Sequence, residues 1–154
     1  MEEKLVELLK NRRLSIATAE SVTGGLIAKS ITDIKGSSSV FVGGVVAYSP
    51  FAKEHLLSIP KGVIDSVGTV HPEVARLMAV NVKKLLNAEV GVSVTGVAGP
   101  DAIEGKPVGL VYMGIAVFDK VFVFEEYFKG TRDIIREEAK KTLLKKLIEI
   151  IEGG

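Results

Sequence analysis

The chain contains no cysteine, which excludes disulfides, thiolate nucleophiles and cysteine-ligated metals together. Tryptophan and glutamine are also missing and asparagine is scarce, against many Glu, Lys, Ile and Val, a bias shared with heat-adapted proteins. Charge of neither sign is in real excess: 20 basic and 19 acidic residues leave a formal +1. No global field therefore draws nucleic acid or an anionic membrane, and any anion site must be local. The longest apolar run, Val108 to Phe118, is too short and too interrupted by glycine to span a bilayer. Met1-Glu2-Glu3-Lys4 lacks the basic start and apolar stretch of a secretory signal, so a cytoplasmic location is expected. The only histidines, His55 and His71, have neither a carboxylate at ligand spacing nor a triad motif, so no catalytic metal is expected. Gly62 to Gly68 lacks the Gly-Lys-Ser or Gly-Lys-Thr ending of a P-loop, which disfavours ATP chemistry. With no repeat, low-complexity tract or proline-rich linker, residues 1–154 read as one domain, of a size that buries roughly two thirds of its unfolded surface.

What is present is a regular alternation of strand-like and helix-like segments. Residues 2 to 12 have the pattern of a helix: Leu5, Val6, Leu8 and Leu9 share one side, acids open it and bases close it, as the macrodipole favours. Leu14 to Ala19 reads as a strand, followed by the Thr23-Gly24-Gly25 turn and a helix carrying Leu26, Ile27, Ser30, Ile31 and Ile34. Val40 to Tyr48 is rich in β-branched residues and leads to Ser49-Pro50, a cap and first turn for a helix reaching about Leu57. Pro72 opens another helix with an apolar stripe of Val74, Leu77, Met78, Val82, Leu85 and Leu86, and Glu89 to Val94 follows as a strand. Val108 to Phe118 and Val121 to Phe128 are separated only by Asp119-Lys120, which implies an antiparallel hairpin. Thr131 can cap a long last helix, ending at Gly153, whose apolar face is expected to hold Ile134, Ile135, Leu143, Leu144, Leu147, Ile148 and Ile151. The fold class is α/β, a mixed sheet with helices on both faces.

Three loops follow predicted strands: residues 20–25, 48–53 and 95–101. In α/β sheets ligands gather at strand carboxyl ends, so these loops are where chemistry is expected. In the first, glycines admit close approach and the following helix offers free N–H groups to a phosphate or an oxyanion, with Ser21 beside them. On the residues alone, Ser21 or Thr23 is equally readable as a simple cap. Lys53 is the candidate base, provided its pKa falls by about 2 to 3 pH units, roughly 3 to 4 kcal/mol; a lysine at this spacing is otherwise a solvated charge. Tyr48 could relay a proton or hydrogen-bond the lysine amine, or be a core side chain with a wet hydroxyl. Thr95 and the backbone from Gly96 to Gly99 could bind an amide oxygen or a phosphate, or be a turn that needs glycine. Arg132 suits phosphate but also a solvent-facing position.

Taken together, Thr18-Ala19-Glu20-Ser21-Val22-Thr23-Gly24-Gly25, Gly43-Gly44-Val45-Val46-Ala47-Tyr48-Ser49 with Lys53, Thr95-Gly96-Val97-Ala98-Gly99-Pro100, and Lys106-Pro107-Val108-Gly109 resemble the CinA C-terminal domain family. So does Gly130-Thr131-Arg132 with Arg136, and the likeness runs collinearly from about residue 3 to 150. The resemblance implies a three-layer α/β/α fold with a mixed, mostly parallel sheet and an antiparallel hairpin near the C-terminus. It also implies hydrolysis of the carboxamide of nicotinamide mononucleotide to nicotinate mononucleotide and ammonia, with no cofactor. Carried over by position, Ser21 is the nucleophile, Lys53 its base and Tyr48 the residue supporting proton transfer. Thr23, Gly24, Gly25, Thr95, Gly96 and Arg132 are the expected substrate-binding positions, with Arg132 assigned to the phosphate. The implied partner is a small pyridine nucleotide, not nucleic acid or a membrane, and a homodimer is expected.

Three departures from the family pattern stand out. Val22 replaces a common cysteine, His71 replaces a usual serine, and residues 100–106 are shorter than usual and lack paired glycines. The chain is expected to be a stand-alone domain, without the molybdopterin-binding-like domain of full-length CinA proteins. A non-catalytic nucleotide-binding or regulatory module, or a protein-interaction domain, are the competing readings of the same residues.

Overall fold

A computed structural model describes residues 1–154. Five strands form one sheet: β1 (Ile16–Glu20), β2 (Phe41–Val46), β3 (Val90–Gly96), β4 (Leu110–Val117) and β5 (Lys120–Tyr127), in the order β2-β1-β3-β4-β5. β1 pairs in parallel with both β2 and β3, whereas β3 with β4 and β4 with β5 are antiparallel. Only β4 therefore runs against the other strands, and the sheet is mixed and mostly parallel as expected. Helices α1 (Glu2–Arg12), α2 (Leu26–Thr32) and α6 (Arg132–Gly153) cover one face, and α3 (Pro50–Leu57), α4 (Lys61–Val67) and α5 (Pro72–Leu85) lie on the other.

The period of two along each strand separates two unlike faces. Towards α1, α2 and α6 the strands present Ile16, Val90, Val92, Val94, Val111, Met113, Ile115 and Val117, which close the larger core with Leu5, Leu9, Ile27, Ile31, Ile135, Leu143 and Leu147. Towards α5 they present Ala17, Ala19, Gly91, Ser93, Gly114 and Ala116. These small side chains let the helix backbone sit almost on the sheet. A Cβ at Gly114 would stand 2.5 Å from the Ala75 carbonyl oxygen and 2.6 Å from Ser93 Oγ, so the glycine is demanded by close approach. Ser93 uses the same proximity to donate a hydrogen bond to Ala75 O at 2.6 Å.

Local signals explain most of the helix boundaries. Ser49 caps α3 by accepting from Ala52 N–H at 3.0 Å, with Pro50 at the first helical position. Thr131 caps α6 by accepting from Ile134 N–H at 3.3 Å. His71 caps α5: its Nδ1 accepts from Glu73 N–H at 3.1 Å. Three expectations are corrected. Ile134 is 48% exposed and not part of the apolar face of α6. The first strand runs to Glu20 and not only to Ala19, which brings a carboxylate into the interior. Helix α4 was not anticipated, because none of its residues is buried and Gly62 with three β-branched residues gives it little helical propensity. No helix is long and apolar enough to cross a membrane.

Replacing Gly114 by alanine forces α5 away from the sheet. We expect a loss of about 1 to 3 kcal/mol in urea unfolding with an unchanged slope.

Candidate active site

Because β1 lies between β2 and β3 and is parallel to both, the carboxyl ends of these three strands stand side by side. The pairing continues one residue past them, with Ser21 N–H on Val94 O at 3.0 Å and Ala47 N–H on Glu20 O at 2.8 Å. Ser21, Tyr48, Lys53, Thr95, Gly96 and Arg132 then line one cleft, together with Val22, Thr69, Val70, Ala98 and Ile103. The first, second and third loops singled out from the sequence are thus brought together.

Lys53 lies in the first turn and a half of α3 and is only 1% exposed. Its Nζ is 2.8 Å from Ser21 Oγ, 3.0 Å from Ala47 O and 3.4 Å from Tyr48 O. Carbonyl oxygens only accept, so a neutral amine with its two hydrogens on those carbonyls has its lone pair left for the Ser21 hydroxyl. Burial lowers the Lys53 pKa from 10.5 to about 8, against an opposing pull from the Glu104 carboxylate. The amine can therefore lose its proton close to neutrality, as a general base must.

Ser21 is 7% exposed and its position is fixed from behind by Glu20. The Glu20 carboxylate accepts from Thr23 Oγ1 at 2.7 Å, Ile27 N–H at 2.8 Å and Ala28 N–H at 2.9 Å. It thus acts as a cap delivered from the strand, on the helix end where negative charge is favoured. This corrects the expectation that the start of α2 offers its N–H groups to a ligand. Thr23, Gly24 and Gly25 are not in the cleft lining. Thr23 is buried and bonded to Glu20, while Gly24 and Gly25 turn the chain with φ of 60° and 108°. The Gly24 N–H is taken by Ser21 O at 3.0 Å, and Arg136 donates to Thr23 O at 3.0 Å.

The Tyr48 hydroxyl does not reach the lysine. It accepts from Arg132 Nη2 at 2.7 Å, and only the Tyr48 carbonyl touches Nζ. Arg132 also donates to Gly99 O at 2.7 Å and has no carboxylate partner, so its charge stays available at the rim of the cleft. Thr95 is 1% exposed and donates to Thr69 O at 2.8 Å, which leaves its oxygen lone pairs as acceptors. Sequence reasoning missed Thr69 and Glu104, and it quoted Glu20 and Arg136 within family motifs without assigning either a role. Arg136, one helical turn after Arg132, and Glu20, at a strand end just before a glycine turn, carried signals that could have been read.

Two consequences are measurable. Glu20→Ala strands two interior N–H groups and should cost about 2 to 4 kcal/mol in chemical denaturation. Between pH about 8 and 10.5 the unfolded chain holds the Lys53 proton that the folded chain has released. The folded state therefore gains stability as pH rises through that window and lacks this gain below it. Relative to Lys53→Met, the wild type should gain roughly 3 kcal/mol across it.

Comparison with known proteins bears on the family and the fold. The family model described as the CinA C-terminal domain matches residues 1–151. A relative from Bacillus cereus, named as a competence-damage inducible protein, is 46% identical over 97% of this chain, which spans 38% of that relative's length. One of the same name from Thermoanaerobacter pseudethanolicus is 49% identical over 88% of this chain and 33% of its own length. The crystal structure of the competence/damage inducible protein CihA from Agrobacterium tumefaciens is 35% identical with a TM-score of 0.91, covering 96% of this chain and 93% of that one. A CinA superfamily protein from Klebsiella pneumoniae shares the fold at a TM-score of 0.97 with 23% identity, covering 99% of this chain and 96% of that one. With a family model matched from end to end and relatives near half identity, the chain belongs to the CinA C-terminal domain family.

Proposed function

We propose that this chain is an amidohydrolase that converts nicotinamide mononucleotide to nicotinate mononucleotide and ammonia. The observation that carries this reading is the contact of 2.8 Å between Ser21 Oγ and the buried amine of Lys53, whose pKa lies near 8. A hydroxyl beside a base of that strength is an activated nucleophile, and the carboxylic amide is a substrate such a pair attacks.

Lys53 takes the Ser21 proton as Oγ adds to the carboxamide carbon. The adjoining Val22 lines the cleft and its N–H makes no hydrogen bond within the chain, so it can donate to the oxyanion. The Lys53 ammonium then returns its proton to the nitrogen, the C–N bond breaks, and ammonia leaves an acyl-Ser21. Water gives a proton to the free amine and adds to the acyl carbon, and collapse releases the carboxylate and restores Ser21. Thr95 Oγ1, with its lone pairs unused, can accept from the amide N–H₂.

The cavity at Ser21 and Lys53, about 80 Å³, is far smaller than a site enclosing a whole nucleotide. Only the nicotinamide head enters, and the ribose phosphate extends over the rim, where the unpaired Arg132 guanidinium binds it. Tyr48 serves this arrangement by orienting Arg132.

Ammonia release from nicotinamide mononucleotide by purified protein tests the reading. Ser21→Ala and Lys53→Ala, confirmed as folded, should each lower kcat/KM by roughly 10² to 10⁴. Nucleotide binding without turnover in the wild type would replace the enzyme by a binding module.

A further inference from the structure

The connection between β3 and β4 carries contacts that the serine and lysine chemistry does not use. Residues 103–106 close a small hairpin, with Ile103 N–H on Lys106 O at 3.3 Å and Lys106 N–H on Ile103 O at 2.8 Å. It is fastened to the turn before α5 by two side chains of opposite charge. Both Glu104 oxygens accept from Thr69 N–H at 3.0 Å, one accepts from Thr69 Oγ1 at 3.0 Å, and the other from Val70 N–H at 3.4 Å. Lys106 Nζ donates to Val67 O at 3.1 Å and to Val70 O. Hydrogen bonds to ionised groups are the stronger kind, and here one short turn receives both an acceptor and a donor.

The turn is shaped for this contact. Gly68 has φ 82°, and a Cβ there would fall on the Glu104 carboxylate. What the fastening holds in place is one side of the cleft: Thr69, Val70 and Ile103 all line it. Ile103 is 43% exposed and is carried by the hairpin it closes with Lys106, so its position depends on Glu104 and Lys106. Facing a flat heteroaromatic ring, the side chains of Val70 and Ile103 supply apolar contact where a carboxamide must be held at attack distance.

We propose that Glu104 is a positioning residue that clasps the 101–106 hairpin to the 67–70 turn and so builds the cleft wall that seats the ring of an aromatic carboxamide beside Ser21. The inference deepens the amidase reading and rests on it for the nature of the ring. Glu104 touches no reacting atom; apart from its electrostatic pull on Lys53, which labelling above the Lys53 pKa sets aside, it acts through Thr69, Val70 and Ile103.

The test compares wild type with Glu104→Ala, Glu104→Gln and Gly68→Ala in three measurements. The first is KM and kcat for nicotinamide mononucleotide. The second is the rate at which a small alkyl fluorophosphonate, which has no ring, labels Ser21 at about pH 9, above the Lys53 pKa of about 8. The third is hydrogen exchange at the Thr69 and Val70 amides. Glu104→Ala and Gly68→Ala should raise KM about tenfold or more with kcat within about threefold, while labelling stays within about threefold. Exchange at Thr69 and Val70 should speed up in both. Glu104→Gln, which keeps a carbonyl acceptor, should restore most of KM and of protection.

Unchanged KM in Glu104→Ala, or labelling lost together with turnover, would overturn the proposal. Wild type that is labelled at Ser21 but inert towards the nucleotide would sink the substrate reading alone. The clasp would then stand or fall on whether Glu104→Ala exposes the Thr69 and Val70 amides and Glu104→Gln protects them.

Discussion

An amine enclosed by protein, whose hydrogen-bond partners are uncharged oxygen atoms and which touches no carboxylate, is the constraint on which the rest of the site depends. Leaving water disfavours the charged form of Lys53, and the fold offsets this with the Ala47 and Tyr48 carbonyls and the Ser21 hydroxyl. Those carbonyls are free because β2 ends at Val46 and α3 begins at Pro50, so the chain between them belongs to neither ladder. The Ser49 cap and Pro50 also fix the phase of α3, and that phase turns residue 53 inward while Phe51 and His55 face out. A shift of one position in where the helix starts would exchange the buried amine for a different side chain.

The same economy is visible on the other side of the sheet. A helix that begins at a strand end ordinarily leaves its first N–H groups open to an anion. Here the last residue of β1 fills that place with its own carboxylate, so the acceptor at the start of α2 comes from within the chain. The turn carrying Ser21 is held at both ends, by the ladder before it and by Glu20 behind it. Positive charge is instead gathered on the neighbouring helix of the same layer, where Arg132 and Arg136 stand a turn apart on α6 and bond to the loops flanking the cleft.

Much of this was readable in the sequence, and the parts that were not share a cause. Periodicity and caps located α1, α3, α5 and α6 and the hairpin of β4 and β5, because each of these signals is local. Ser21 and Lys53 were legible as a pair only through resemblance; nothing within a few residues of Lys53 announces that it is buried. Glu20 and Glu104 work on residues 7 and 35 positions away, and Tyr48 on one 84 away, so their partners lie outside any local pattern. The small residues facing α5 were likewise silent, since Gly91 and Gly114 in a strand look like weaknesses until the helix backbone above them is seen.

The direction of β4 has an effect beyond the sheet itself. Had it been parallel to β3, the chain leaving Gly96 would have crossed to the far end of the sheet through a helix before returning. Because β4 runs back from where β3 stops, residues 97–109 begin and end at the cleft. The tip, residues 100–105, is exposed, and length can change there without shifting the register of β3 against β4. The fold thus carries the Ser21 and Lys53 pair and the cleft wall that faces it on separate pieces of chain, and the wall can change in one loop while the pair stays where the strands put it.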